Sequence, residues 1–141
     1  MNKEEINKKI ASSLFKMMLT ISEGKYYALD KKGNLCEIPN YFEDLDSCYS
    51  IIDFFKKRGY SLNIGYDVRK DENGEDNIYW STKISKNKIT YTHPEYKKTL
   101  TESICCASLS FINREIQKKD QEENAFSINN IVLVDFKKDK K

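Results

Sequence analysis

Asp44 to Gly59 carries a complete amphipathic-helix signal, and a strand pattern begins at the very next residue. Asp44, or the residue just before it, supplies the cap. Leu45, Cys48, Tyr49, Ile52 and Phe55 recur at helical spacing, and Ile51 widens that face. Lys56, Lys57 and Arg58 fill the last turn, where cations oppose the helix dipole, and Gly59 stops the helix. Tyr60, Leu62, Ile64 and Tyr66 then alternate with Ser61, Asn63 and Gly65, which predicts a strand with one apolar face. A one-sided helix joined directly to a one-sided strand has to bury both faces in a shared core, so the chain is expected to mix α and β structure.

The same signals extend in both directions. Thr99 and Glu102 match a capping box, and Leu100, Ile104, Ala107, Phe111 and Ile112 form the stripe of a helix running to about residue 118. Between the two helices, Asp67 to Asn77 is polar, with Asn73-Gly74 at its centre, and reads as a long hairpin connection. Ile78, Trp80, Thr82 and Ile84 make the returning strand. Lys86-Asn87-Lys88 is a tight turn, and Ile89 to Thr92 a third strand. At the other end Asn2 caps a helix with Glu4 and Glu5 in its first turn. Ile6, Ile10, Leu14, Met17, Met18 and Ile21 keep helical spacing as far as Gly24. Tyr26–Leu29 and Leu35–Ile38 read as short strands joined at Asp30–Asn34, with Gly33 free to take positive φ and Pro39 ending the second strand.

The expected architecture is therefore α/β of the α+β kind: an antiparallel meander packed by three amphipathic helices, with an additional strand at residues 128–136. One domain is expected over residues 1–136, with a frayed basic tail at 137–141. Residues 118–124 are a charged linker. Ile131, Val132, Leu133 and Val134 are consecutive, which implies a strand covered on both faces. Such a strand is either an internal sheet member or the contact of a homo-oligomer.

Composition excludes several functions. The 24 basic and 22 acidic residues leave a net charge of only +2, and just three bases are Arg (Arg58, Arg69, Arg114), so no electrostatic surface for duplex nucleic acid is expected. The first ten residues are charged and no apolar run approaches the ~20 residues of a bilayer span, so a cytoplasmic protein without a membrane partner is expected. Its four cysteines are then thiols, and their spacing with the single His93 matches no zinc site. Asp71 to Asp76 is carboxylate-rich, but Gly74 is misplaced for a calcium loop and Thr82 stands where its bidentate Glu is required. His93 precedes Pro94 at a strand end and has no accompanying nucleophile motif or glycine-rich phosphate loop. No catalytic residue, metal or cofactor is expected, and the chain reads as a non-enzyme.

Two groups remain as binding candidates. Tyr79, Trp80, Tyr91, Arg69 and Lys83 combine aromatic rings that stack on bases with cations that neutralise phosphate. With Ile78 and Trp80 towards the core, Tyr79 and Lys83 face outwards as a nucleotide site. The competing reading is that these aromatics pack against helices. Tyr26, Tyr27, Tyr41 and Phe42 form a second aromatic group, which serves either as a partner-binding edge or as a lid over the helices.

Pro39-Asn40-Tyr41 followed by Asp44-Leu45, Gly59-Tyr60, Trp80, and the helix opening Thr99-Leu100-Thr101-Glu102-Ser103-Ile104 with Ala107 resemble small phage and prophage proteins of the ABA-sandwich domain type. Asn2 to Asn7 also looks like their first helix, and the resemblance covers about residues 1–113. Asn40 departs from the usual Asp, and residues 128–136 lie outside the usual core. The resemblance implies an ABA-sandwich-like phage accessory protein and transfers no catalytic residues. The partner it suggests is a host defence protein, such as a CRISPR or other immune effector. The alternative partner is a nucleotide immune signal that the protein sequesters.

Overall fold

Three side-chain caps start three helices. Asn2 accepts from the Glu5 N–H at 2.9 Å while the Glu5 carboxylate accepts from the Asn2 N–H at 3.2 Å, which opens α1 (Lys3–Lys9). Asp44 accepts from both the N–H and the hydroxyl of Ser47, at 3.1 and 2.7 Å, and opens α2 (Leu45–Lys57). The Thr99 hydroxyl accepts from the Glu102 N–H at 3.1 Å and opens α3 (Leu100–Phe111). In the computed structural model, which describes residues 1–116, these helices join two three-stranded antiparallel sheets in a mixed α+β fold. The first sheet is β1 (Met18–Ser22), β2 (Lys25–Leu29) and β3 (Leu35–Cys36). The second is β4 (Ser61–Lys70), β5 (Asp76–Lys86) and β6 (Ile89–Tyr91). The segment 128–136 lies outside the described residues.

The first helix is shorter than its spacing predicts. A π-helical turn, Ile10–Leu14, ends α1, and Lys16 takes a left-handed φ of 58°. Met18 and Ile21 then belong to β1, not to the helix face. Gly24, expected as a helix stop, forms with Glu23 a two-residue turn in which both φ values are positive (51° and 78°). The apolar spacing here runs from a helical face (Ile6, Ile10, Leu14) into a strand (Met18, Ile21), and the left-handed residue Lys16 marks where one period gives way to the other.

The α2 C-terminus behaves as expected. Gly59 takes φ 84°, its N–H donates to the Lys56 carbonyl at 3.1 Å, and the Tyr60 N–H donates to the Phe55 carbonyl at 3.0 Å. This is a Schellman turn, closed by the Phe55–Tyr60 ring contact at 5.5 Å. The turn aims β4 away from the helix. Lys86, at the end of β5, donates to the Arg58 carbonyl at 2.8 Å and holds the second strand to the same corner.

The core joins Ile6, Ile10 and Leu14 to Cys48, Ile51 and Phe55 of α2, Ile84 and Tyr91 of the second sheet, and Ile104, Cys105, Phe111 and Ile112. Leu45 and Tyr49, expected on the buried face of α2, are exposed. The helix is rotated so that Cys48, Ile51 and Phe55 meet α3. Phe111 is ringed by Phe55, Tyr60 and Tyr91, each edge-on with centroids 5.0–5.5 Å apart. Polar atoms inside this core are satisfied. Thr82 and Ser103 hydroxyls meet at 2.5 Å, Ser108 donates to the Ile104 carbonyl at 2.8 Å, and no buried side-chain polar atom among the described residues lacks a partner.

The Asp44 cap predicts a pH signature. The Ser47 hydroxyl and then its N–H hold the Asp44 carboxyl below its ordinary value of 3.8. A depressed folded-state value means the charge contributes fully above about pH 4 and is lost as pH falls through the lower folded value. The Tm gap between wild type and Asp44→Ala should be constant from neutral pH to about pH 5 and narrow below about pH 4. A gap that stays constant down to about pH 2 would show that the carboxylate charge adds nothing.

Candidate ribbon interface

β4 and β5 pair without interruption from Ser61↔Ser85 to Lys70↔Asp76. The polar stretch expected as a loop from Asp67 to Asn77 is therefore mostly strand, and only Asp71 to Glu75 turns. The turn is held by Asp71, whose carboxylate accepts from the Asn73 and Glu75 N–H groups at 2.9 Å. These backbone bonds, led by Glu75, hold its carboxyl below the ordinary range. The carboxylates here build and decorate a turn, and among the described residues no group of three or more His, Cys, Asp or Glu could hold a metal ion.

Ten paired residues extend about 33 Å, whereas the 12 residues of α3 extend about 18 Å. The helix covers only the base of the ribbon, where Leu62, Thr82 and Ile84 pack inwards. Beyond it the same face continues uncovered among the described residues. Ile64 is 42% exposed, Tyr66 65%, Val68 50% and Ile78 49%. The Tyr66 and Trp80 rings lie on this face, 5.9 Å apart. Alternation put Ile64 and Tyr66 on an apolar strand face and Ile78 and Trp80 towards the core, with Val68 in the polar connection, because it identifies an apolar face without stating the length of what covers it. Comparing the apolar length of β4–β5 with the length of α3 was the available signal.

The opposite face carries Asp67, Arg69, Tyr79 and Lys83. Arg69 donates from Nε to Asp67 at 3.0 Å, and its guanidinium lies 5.0 Å from the Tyr79 ring and 5.1 Å from the Tyr96 ring. Tyr79 and Lys83 share this face but are about 13 Å apart along the strand. Trp80 faces the other way. Its backbone pairs with Lys97, whose N–H donates to the Trp80 carbonyl at 2.8 Å. Tyr91 shares the core face with Ile84 and is buried, and its hydroxyl donates to the Glu115 carboxylate. Burial first, and Glu115 second, push the Tyr91 hydroxyl above its ordinary value. The expected five-residue group is thus divided: Arg69, Tyr79 and Lys83 on one face, Trp80 on the other, Tyr91 in the core.

The second aromatic group is divided too. Tyr41 is buried and stacks on Phe15 at 5.5 Å, and burial pushes its hydroxyl up. Phe42 packs beside the core. Its N–H donates to the Asn7 side chain at 3.0 Å and its carbonyl accepts from the Thr101 hydroxyl at 2.6 Å. Asn7 also donates to Asn40 at 3.1 Å, so this loop is clamped between α1 and α3. Tyr26 is exposed with Lys8 3.7 Å above its ring, and Tyr27 lies on the other side of the hairpin. Tyr26 lines a cleft of about 430 Å³ shared with Glu4, Glu5, Lys8 and Glu37.

No family model, curated protein or solved structure matches this chain. A flat apolar and aromatic face suits a macromolecular partner better than a small molecule, which needs concave walls with converging polar groups.

His93 accepts the Glu95 N–H at Nδ1 (3.0 Å), a role in loop structure. All four cysteines are free. Cys48, Cys105 and Cys106 are buried, and only Cys36 is exposed. The Cys48 contact and then burial push the Cys105 thiol up, and burial raises Cys106. No helix of the described residues is long and apolar enough to cross a membrane.

The division between core and overhang has a measurable consequence. Phe55→Ala should cost about 3–5 kcal/mol, because it opens a cavity among packed rings. Tyr66→Ser should change stability by no more than about 0.5 kcal/mol, as surface substitutions generally do. Urea unfolding of both variants checks this, and comparable losses would show that the ribbon tip belongs to the core.

Proposed function

We propose that this protein is a non-enzymatic binding module that docks the β4–β5 ribbon on a protein partner. The observation that carries the reading is the row Ile64, Tyr66, Val68 and Ile78, uncovered among the described residues, with Trp80 at its inner end. Large aromatic and aliphatic side chains on a rigid paired element make strong anchors, since little conformational entropy is lost on binding. Exposed apolar patches on a ribbon are otherwise an aggregation liability, so a role in recognition is the physical reason to keep one.

The resemblance to phage accessory proteins supports a more specific proposal. The partner is a host defence protein, such as a CRISPR nuclease or another immune effector, and the chain acts in the bacterial cytoplasm by covering its working surface. The test is infection of defended cells. Expressing the wild-type protein should restore plating of a defence-sensitive phage, whereas Tyr66→Asp with Ile78→Asp should not. With the partner in hand, the double change should weaken binding at least about 30-fold, the scale of a lost anchor of about 2 kcal/mol. Unchanged plating on wild-type expression would remove the anti-defence role. Full activity of the double variant would remove the ribbon as the contact.

A second reading has its own observation, the placement of Arg69 between the Tyr79 and Tyr96 rings. A planar cation flanked by aromatic rings can accept a stacked base, and this supports a nucleotide-sequestering role against cyclic-nucleotide immunity. A ligand at 100 times its Kd adds about 2.7 kcal/mol to native stability, so the matching cyclic nucleotide should raise the Tm by several degrees. That rise should vanish in Tyr79→Ala. An unchanged Tm across a cyclic mono- and dinucleotide panel would end this reading.

A further inference from the structure

The second sheet has the order β4-β5-β6, so β4 is its edge, and none of the described residues pairs with that edge. Which backbone groups face outwards follows from the far side of the ribbon. Trp80, the partner of Tyr66, exchanges both its backbone bonds with Lys97, on the side away from β4. Tyr66 and Trp80 are therefore a pair without mutual backbone bonds, and the Tyr66 N–H and C=O point out of the open edge. Alternation gives the same direction to Ile64 and Val68. A row of donors and acceptors thus runs beside a row of apolar side chains, and such an edge accepts a further strand readily. Gly65 lies inside this row without a positive φ, and a Cβ added there would meet nothing within 4 Å. Nothing among the described residues requires glycine at this point, and a glycine inside a strand often marks the close approach of another backbone.

We propose that β4 pairs with β4 of a second copy, antiparallel about a two-fold axis at Tyr66, so that the two three-stranded sheets join into one. The chain's own residues decide the register. A slip of one residue would set the apolar face against the charged one. Centring on Tyr66 sets Ile64 against Val68 of the second copy and Tyr66 against its own counterpart, with about six backbone bonds among them. On the other face Asp67 of the second copy lies opposite Gly65, where the missing side chain leaves room for the Asp67–Arg69 ion pair at 3.0 Å. Centring on Asp67 would oppose like charges, and centring on Gly65 would oppose two residues without side chains.

Charge selects the same arrangement. Antiparallel pairing lays the tip of each ribbon against the base of the other. The tip carries Asp71, Glu72, Glu75 and Asp76, and this register brings Asp71 and Glu72 level with Ser61 and Tyr60 of the second copy. At that base Lys86 lies 5.0 Å from the Tyr60 ring centre and donates to the Arg58 carbonyl. Neither Lys86 nor Arg58, and neither Glu72 nor Glu75, forms an ion pair among the described residues. Opposite charges brought within about a Debye length attract, whereas parallel pairing would set carboxylates against carboxylates. The same patch serves both copies, as a two-fold dimer requires. The dimer closes the open edge and makes the apolar faces of two ribbons continuous. It goes beyond the docking reading and does not depend on it.

The experiment is sedimentation equilibrium of the pure full-length protein over a concentration series, with amide exchange recorded at both ends of the series. A dimer mass should grow in with concentration, and the Ile64, Tyr66 and Val68 amides should gain protection with it. Val68→Pro removes an N–H that points outwards, which an edge strand tolerates, and by symmetry deletes two bonds of the contact. It should weaken the dimer at least about tenfold while α3 amides keep their protection. Glu72→Lys/Glu75→Lys changes side chains that make no hydrogen bond or ion pair among the described residues, and it should weaken the dimer too, as should salt in wild type. Adding Lys86→Glu to that variant should restore it. A monomer mass up to about 1 mM would overturn the proposal. So would a dimer of unchanged strength in Val68→Pro, because the contact would then lie elsewhere, or one not weakened by Glu72→Lys/Glu75→Lys, because tip and base would then not meet. Full protection of the three β4 amides in the monomer would overturn it as well, since the edge would already be occupied. Each of these failures leaves the plating test of the docking face untouched.

Discussion

The ring cluster around Phe111 is the contact on which the rest of the molecule depends. Phe55 brings α2 to it, Tyr60 brings the start of β4, Tyr91 brings β6, and Phe111 itself is the last residue of α3. Edge-on rings define distance and angle more narrowly than aliphatic contacts do, and each such pair contributes about 0.5–1.5 kcal/mol beyond its buried area. Four elements therefore meet with one relative orientation. The Schellman turn at Gly59 adds direction, because Tyr60 is held by its backbone to Phe55 and by its ring to Phe111 in the same place.

The ribbon is the consequence of this anchoring. One end of β4–β5 is tied to the cluster through Tyr60, Ile84 and Lys86, and α3 ends its cover long before the strands do. What projects is a stiff, paired arm with one apolar and one charged-aromatic side. The buried elements carry the stability, which leaves the projecting side chains free to be chosen for contact with something else. Among the described residues the buried polar side chains are bonded, Thr82 with Ser103, Ser108 to the Ile104 carbonyl, Thr101 to the Phe42 carbonyl and Tyr91 to Glu115.

Local chemistry was the legible part of the sequence. Asn2, Asp44 and Thr99 cap the helices they were expected to cap, and Gly33 and Gly59 take the positive φ their turns require. These features depend on neighbours within four residues. Misread features depended on distant partners. Met18 and Ile21 keep helical spacing with Ile10 and Leu14, yet pair with Leu29 and Tyr26 across a hairpin. Asp67 to Lys70 and Asp76 to Asn77 look like loop because a strand wetted on both sides needs no apolar alternation. Leu45 and Tyr49 fit the helical stripe but lie beyond the reach of α3. For the candidate site the residue types were legible and the grouping was not: Tyr79 and Trp80 are neighbours in sequence and on opposite sides in space.

The cysteines give the fold a chemical clock. Cys36 is open to reagent at all times, while Cys48, Cys105 and Cys106 are buried; Cys48 meets α3 beside Cys105, whose thiol that contact and then burial push up, and burial raises Cys106. A thiol reagent therefore reads two separate events in one trace. The first equivalent reports only solvent contact at β3, while Cys48 and Cys105 wait for the helix pair to part. The rate of that second phase measures how often the Phe55–Phe111 junction opens in the native ensemble, with no label or tag added to the chain.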